Sequence, residues 1–378
     1  MKLSKDEIFD QIYINFTIKF ILLSCIFVGL EHLQQLLGDN REVLVNRHSI
    51  VTDLLNFYDD AMLVGQRLIV RFNDEPGQDA GGLTKDLFAC FWDSALRQYF
   101  VGEKTFVPFL PVHRLGESTV YPILGRILTH GAALTGIIPV RISRSAIYSI
   151  IYGKPCEDED MLLADLLLYL TDFERHVTKT ALRNFNSLTP RMLSHLTDMF
   201  VRFNLAVLPR EETFRQNILN LAKTEIAIKP LFLCSQIRSG IPDQHMEAFW
   251  SQLSVEELNS LYSCLIPTAE KVIDKLTTEA DDLRPHEETV LYYLKDFLYS
   301  LNTDDLVLFL QFVTGSDVLP YDPIVIVFNQ RVGLQRVPVA HTCGNTLELP
   351  VSYQSIQEFK REFLNILHQQ ETFQMSMA

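Results

Sequence analysis

Six cysteines occur along the 378 residues, and one of them has surroundings that the others lack. Cys343 stands in His341-Thr342-Cys343-Gly344-Asn345, after the β-type run Arg336-Val337-Pro338-Val339-Ala340 and before the apolar stretch Thr346-Leu347-Glu348-Leu349-Pro350. That pattern predicts a tight crossing between two short strands, with a thiol that a reactant can approach. A thiolate is a strong nucleophile toward acyl carbon and a good leaving group, so the chemistry to expect is acyl transfer or hydrolysis. His341 is two residues away, on the same side of an extended segment. Its imidazole would either take the thiol proton or shape the loop through hydrogen bonds. Cys25, Cys90, Cys156, Cys234 and Cys264 have no comparable setting.

The other candidate chemistries are poorly served. No Cys-x-x-Cys pair and no His/Cys cluster has zinc-site spacing. A formal charge of −14 argues against general affinity for nucleic acid. Sparse cysteines fit reduced thiols in cytosol or nucleus. A cysteine hydrolase would need Cys343 paired with His341, His130 or His286, and no nucleophile stands at a recognisable helix start.

The elements that must hold this cysteine are legible in part. Leu306, Phe309, Leu310 and Phe312-Val313 lie on a helix that Thr303-Asp304-Asp305 starts and Gly315 stops. Ile324 to Phe328 reads as a strand buried on both faces, and a helix from Ser355 to Leu367 closes a small α/β unit. Upstream, Asp53–Tyr58 reads as helix and Arg67–Phe72 as strand. The turn-rich loop Asn73–Gly82 follows, then a helix capped by Thr84 with Leu87, Phe88, Phe91, Trp92 and Leu96 inward. Tyr121–Leu128 and Gly131–Gly136 read as a helix packed closely through small residues, in which Arg126 is a candidate partner for a carboxylate.

Two segments resemble one known family. His341 to Tyr353, together with Phe312-Val313-Thr314-Gly315-Ser316, resembles the end of a HECT-type ubiquitin ligase domain. Phe72, Glu75, Gly77, Asp79, Gly81 and Gly82 match the spacing of a motif in the large lobe of that domain. A phosphate cradle at these glycines is disfavoured by Glu75 and Asp79 and by the lack of Gly-Lys-Ser/Thr.

The resemblance implies an α+β, bilobal fold: a large, mostly helical N-lobe with a small sheet, a hinge, and a small α/β C-lobe. The expected layout is an N-terminal apolar helix or extension over 1–44, an N-lobe over 45–278, a hinge over 279–286 at the polar stretch Thr277–Pro285, and a C-lobe over 287–378. Residues 157–276 are mostly helical, with start signals at Thr189-Pro190 and Ser254-x-x-Glu257. In them the resemblance implies a docking region for a ubiquitin-conjugating enzyme, with Phe200, Phe203, Leu205, Leu208 and Phe214 as candidate groove residues.

The resemblance further implies that Cys343 carries ubiquitin as a thioester and passes it to a substrate lysine as a swinging carrier, with no metal or organic cofactor. His341, Thr342, Asn345 and Glu348 would support it, Glu348 by orienting or deprotonating the incoming amine. An inactive HECT-like module that binds ubiquitin or the conjugating enzyme is the alternative. Gly344 stands where the family commonly has phenylalanine, and Phe373 and Met375 depart from its usual tail. Membrane attachment is not expected: Phe20 to Leu30 is short for a span, which needs roughly twenty residues, and reads as a buried helix running on through Leu33 and Leu36-Leu37.

Overall fold

A computed structural model describes residues 26–73, 81–280, 282–333 and 336–369. Glu75, Gly77 and Asp79 of the large-lobe motif, and the tail residues Phe373 and Met375, lie outside them.

Three apolar cores organise the chain. The first begins with helix α1 (residues 26–35), whose Ile26, Leu30 and Leu33 are buried. Strand β1 (Asn40–Val45) then pairs in parallel with β2 (Arg67–Phe72) through α2 (Ile50–Phe57), the crossover that parallel strands require. Sequence reading missed β1, whose alternation is confined to Val43 and Val45. Helix α3 (Gly82–Tyr99) buries Leu83, Leu87, Phe88, Phe91, Trp92, Ala95 and Leu96. Its N-cap is Gly81, at φ 101°, and Thr84 is a buried residue of the first turn, not the cap. A hairpin of β3 (Phe100–Gly102) and β4 (Phe106–Pro108) leads to α4 (Val120–Thr135) and α5 (Arg144–Tyr152).

The close helix packing expected around Gly125 is present. A β-carbon there would come within 1.9 Å of the Ile237 carbonyl oxygen. Arg126 does not meet a carboxylate: its guanidinium donates to the carbonyls of Tyr58 and Asp59 at 2.8 and 3.1 Å.

Helices α6 (Glu159–Tyr169), α7 (Asp172–Arg183), α8 (Pro190–Arg202) and α9 (Glu211–Ala222) form the second core. Thr171 with Glu174 makes a capping box at α7, and Pro190 opens α8. The helical region expected over 157–276 is not one body. Helices α10 (Leu231–Gly240), α11 (Asp243–Ala248) and α12 (Val255–Leu265) return to the first core through Leu233, Ile237, Met246 and Leu265, joined by Trp250 of the turn before α12.

The third core belongs to a small lobe that starts before the expected hinge. In α13 (Ala269–Asp274) Val272 already packs in it, and β5 (Leu276–Thr278) pairs with β6 (Ile324–Asn329). Thr277 and Thr278 are therefore edge-strand residues, and residues 279–280 and 282–284 are irregular. Strand pairing satisfies their backbone groups, a long-range outcome that polar composition does not signal. Then come α14 (Pro285–Ser300), α15 (Thr303–Thr314), β7 (Val339–His341), β8 (Thr346–Pro350) and α16 (Ile356–His368). The sheet order is β5-β6-β8-β7. A mostly helical large lobe with a small parallel sheet and a small α/β lobe is the fold class the sequence predicts. No helix among the described residues is long and apolar enough to cross a membrane.

Two buried histidines stiffen the first core. His130 Nδ1 accepts from the Tyr58 hydroxyl at 2.8 Å while Nε2–H donates to the Gln66 carbonyl at 2.7 Å, so the ring fits as the neutral tautomer. His245 Nδ1 lies 3.1 Å from Thr129 Oγ1, which accepts from Trp250 Nε1. Burial pushes both imidazoles down to about 4. A histidine kept neutral by folding stabilises fully above its unfolded pKa of about 6.5 and loses that contribution as pH falls toward the folded value. Denaturant unfolding at pH 7 and pH 4.5 is expected to show a loss of about 3 kcal/mol or more at the lower pH; equal stabilities would contradict this account of the core.

Candidate active site

Strands β7 and β8 run antiparallel, with His341 opposite Thr346 and Ala340 opposite Leu347. Between them Thr342–Gly344 makes one 3-10 turn, closed by Asn345 in the left-handed region at φ 46° and ψ 42°. Asparagine tolerates that conformation better than most residues. The Asn345 carbonyl accepts from the Val325 amide at 2.9 Å, which fastens the turn to β6. Thr342 and Asn345 are buried, and Cys343 between them is exposed. The crossing expected from the sequence is thus a turn anchored on both sides of a projecting thiol.

His341 is turned to a different partner. Its Nε2–H donates to Glu348 Oε1 at 2.9 Å, and no hydrogen bond joins it to Cys343 among the described residues. Glu348 also receives Asn329 Nδ2 at 3.4 Å and lies 3.6 Å from Arg331. The hydrogen bond from His341 holds the Glu348 carboxyl below the usual range, against partial burial and with help from Asn329 and Arg331. A carboxylate so held favours attraction of an ammonium over uptake of its proton. His130 sits in the first core, and His286 is an exposed residue of α14. Neither they nor His341 forms the cysteine–histidine pair that hydrolysis needs.

The remaining described cysteines are poor rivals. Burial, with Asp86 beside it, pushes the Cys90 thiol well up; burial also raises Cys156 and pushes Cys234 up to about 12. Cys264 is half-buried. Cys343 is the exposed thiol among the described cysteines.

Contacts that sequence reading missed join this turn to the large lobe. A β-carbon at Gly82 would lie 2.5 Å from Thr342 Oγ1, 3.0 Å from the Cys343 amide nitrogen and 3.1 Å from its Sγ. At Gly315, φ 72°, it would lie 3.0 Å from the Gly82 carbonyl oxygen and 3.6 Å from Thr342 Cβ. From the sequence Gly82 reads as a turn residue that permits positive φ or close backbone approach, and Gly315 as a helix stop; neither reading names the backbone that approaches. Nearby, Asp86 pairs with Arg47 at 2.6 Å and accepts from Cys90, which in turn accepts from Gln311 of α15 at 3.8 Å. Past Gly315, Val318 is fully buried in the first core, the Leu319 amide donates to the Leu265 carbonyl at 2.8 Å, and Tyr321 meets Phe27 edge-on at 4.7 Å. Only the repeated apolar character of Val318-Leu319 could have hinted at this docking.

Asp317 lies in the same seam, in a crevice with Lys85, Phe88 and Trp92 of α3 and Gly131 and Thr135 of α4. Burial pushes its carboxyl up to about 6, with Arg141 opposing and Asp93 adding. A raised carboxyl stabilises the folded state below its unfolded pKa and loses that contribution as pH rises through about 6. Asp317→Asn is therefore expected to be more stable than the parent by about 2–3 kcal/mol at pH 7, with the gap closing near pH 4. Thermal unfolding across that range checks both the sign and the closing.

The HECT-domain (ubiquitin-transferase) family model matches residues 211–376, a span that includes Cys343 and the whole small lobe. Over 345 residues the chain is 24% identical to E3 ubiquitin-protein ligase UPL1 of Arabidopsis thaliana, covering 80% of this chain and 9% of that protein. It is 23% identical over 342 residues to E3 ubiquitin-protein ligase TOM1-like of Neurospora crassa, covering 80% of this chain and 8% of that one. Arabidopsis UPL2 matches over 345 residues at 24%. The chain spans about a tenth of the length of these relatives. The HECT resemblance carried by its motifs is borne out.

Proposed function

We propose that this chain is the catalytic region of a HECT-type ubiquitin ligase, in which Cys343 accepts ubiquitin from a conjugating enzyme and passes it to a substrate lysine. The observation that carries this reading is an exposed thiol on an anchored turn, the exposed one among the described cysteines, inside the segment that matches the family. In the first step the Cys343 thiolate attacks the carbonyl carbon of the conjugating enzyme's thioester; a new S–C bond forms and the enzyme's own thiolate leaves. In the second a neutral lysine amine attacks, the isopeptide bond forms, Cys343 leaves as thiolate, and the amine's extra proton passes to solvent or a nearby base. Both steps exchange acyl groups and need no cofactor.

The supporting residues divide the work. Thr342 and Asn345 hold the turn, His341 fixes Glu348, and the ionised Glu348 draws the lysine ammonium toward the thioester. Such a thiol must stay reduced, which places the activity in cytosol or nucleus. Incubation with charged conjugating enzyme and ubiquitin is expected to give an adduct that thiol reductants cleave and that Cys343→Ala abolishes. Absence of the adduct with several conjugating enzymes would replace this reading by that of an inactive binding module.

For the conjugating enzyme we propose the exposed apolar end of α8 and the loop behind it. Phe200 and Phe214 cannot serve: they are buried in the second core, stacked 6.1 Å apart. Phe203 and Leu205 are partly buried, whereas Leu208 is 62% exposed and its neighbours Val201 and Val207 also face solvent. Leu208→Asp combined with Val201→Asp should raise the concentration of conjugating enzyme needed for half-maximal adduct formation tenfold or more. The melting temperature should stay within a few degrees of the parent, since neither residue is in a core; unchanged concentration dependence would move the docking site elsewhere.

A further inference from the structure

We propose that Gly82, the first residue of α3, is a positioning residue for the Cys343 thiol, so that the reactive site is built from both lobes and is complete only while they are docked. The role assigned to the thiol rests on the ubiquitin-transfer reading above; the positioning itself rests on distances.

The turn carrying Cys343 has little of its own to hold it on the large-lobe side. It is tied to β6 through Asn345, and its outer edge is open: a β-carbon at Gly344 would meet only Thr346 Oγ1, at 3.4 Å. On the inner edge the backbone and side chain of Thr342-Cys343 lie directly on Gly82. Real β-carbons do not approach other atoms to 2.5 Å, so a side chain at this position makes the Thr342 hydroxyl rotate away and, at 3.0 Å from the Cys343 amide nitrogen, presses α3 and the turn apart. Helix α3 is poorly able to yield. Leu83, Leu87, Phe88 and Phe91 fix its first half in the first core, and Asp86 ties it to Arg47. The turn must move instead.

The second glycine completes the contact. Gly315 ends α15 in a left-handed conformation that a β-carbon would strain, and it rests on the Gly82 carbonyl and on Thr342. Two glycines, one from each lobe, thus bring three backbones together around Thr342. The same joint is continued by Val318 and Tyr321, which hold the small lobe against the large one. A thiol seated this way has one open side, and the direction from which an acyl group can reach it is set by α3 as much as by its own strand.

The test compares Gly82→Ala with Gly344→Ala in the full chain, a methyl on the inner edge against one on the outer edge of the same turn. The first readout is independent of transfer activity: the rate of Cys343 alkylation by iodoacetamide, located by mass spectrometry. Gly82→Ala is expected to raise it at least threefold by lifting the turn from α3, and Gly344→Ala to leave it within a factor of two. The second is single-turnover adduct formation from charged conjugating enzyme. Gly82→Ala should lower the maximal rate tenfold or more with the half-saturating concentration unchanged, and adding Thr342→Ala, which removes the atom at 2.5 Å, should recover part of that loss.

If Gly82→Ala does not fold, Val318→Ala loosens the same joint from a distance and should show the same rise in alkylation. Alkylation unchanged in the folded variant, or a double variant no faster than Gly82→Ala alone, overturns the proposal. A wild-type chain that forms no adduct while the alkylation contrast persists overturns the transfer reading and leaves the positioning standing.

Discussion

Val318 belongs to the chain between α15 and β6 of the small lobe, yet it is buried in the core of the large one. Everything about the reactive turn depends on that insertion. Burying one valine contributes about 1.5–3 kcal/mol. The Leu319–Leu265 hydrogen bond and the Phe27–Tyr321 ring pair add about 1 kcal/mol each. The docked arrangement sets the geometry that the exposed thiol presents. Ionised Asp317 in the same seam works against docking at neutral pH, so the joint is firm without being locked.

The joint also explains how α3 matters to chemistry. Its inward face is an ordinary apolar stripe. What is particular is its start, where Gly81 takes φ 101° and Gly82 lies against the backbone of another lobe. Asp86, one turn on, neutralises Arg47 and adds to the burial that pushes the Cys90 thiol up. A second nucleophile close to the first is thereby silenced. Charge, burial and close packing along one helix leave Cys343 as the exposed thiol among the described cysteines.

Local features of this arrangement were legible in the sequence. The helix from Thr303 to its stop at Gly315, the capping box at Ser254 and the strand after Cys343 all arise from neighbours along the chain, and the structure has them; of the run before Cys343 only Val339–His341 is strand. Reading failed where partners are distant. Thr277-Thr278 looked like a linker because both are polar, but an edge strand tolerates polar residues on its outer side. Phe200 and Phe214 looked available for docking because a sequence does not say which face of a helical cluster is inward. Val201 and Val207, hidden among apolar neighbours, are the exposed ones. Gly82 and Gly315 each had a sufficient local explanation, so nothing prompted a search for a shared role.

Gly344 can now be weighed differently from the way its type alone suggested. It does not take the left-handed conformation in this turn; Asn345 does. The loop is thus not held by a glycine's freedom, and the open space beside Gly344 shows that a larger side chain would extend into solvent or onto whatever docks there. The residue type at this position leaves the placement of the thiol intact. Placement depends on the other side of the turn, where Thr342 is pressed between two glycines that no side chain can replace without moving the lobes apart. A chain that gives up apolar contact on the outer edge keeps its reactive geometry only if the inner edge stays close, and that closeness is what the buried Val318 secures.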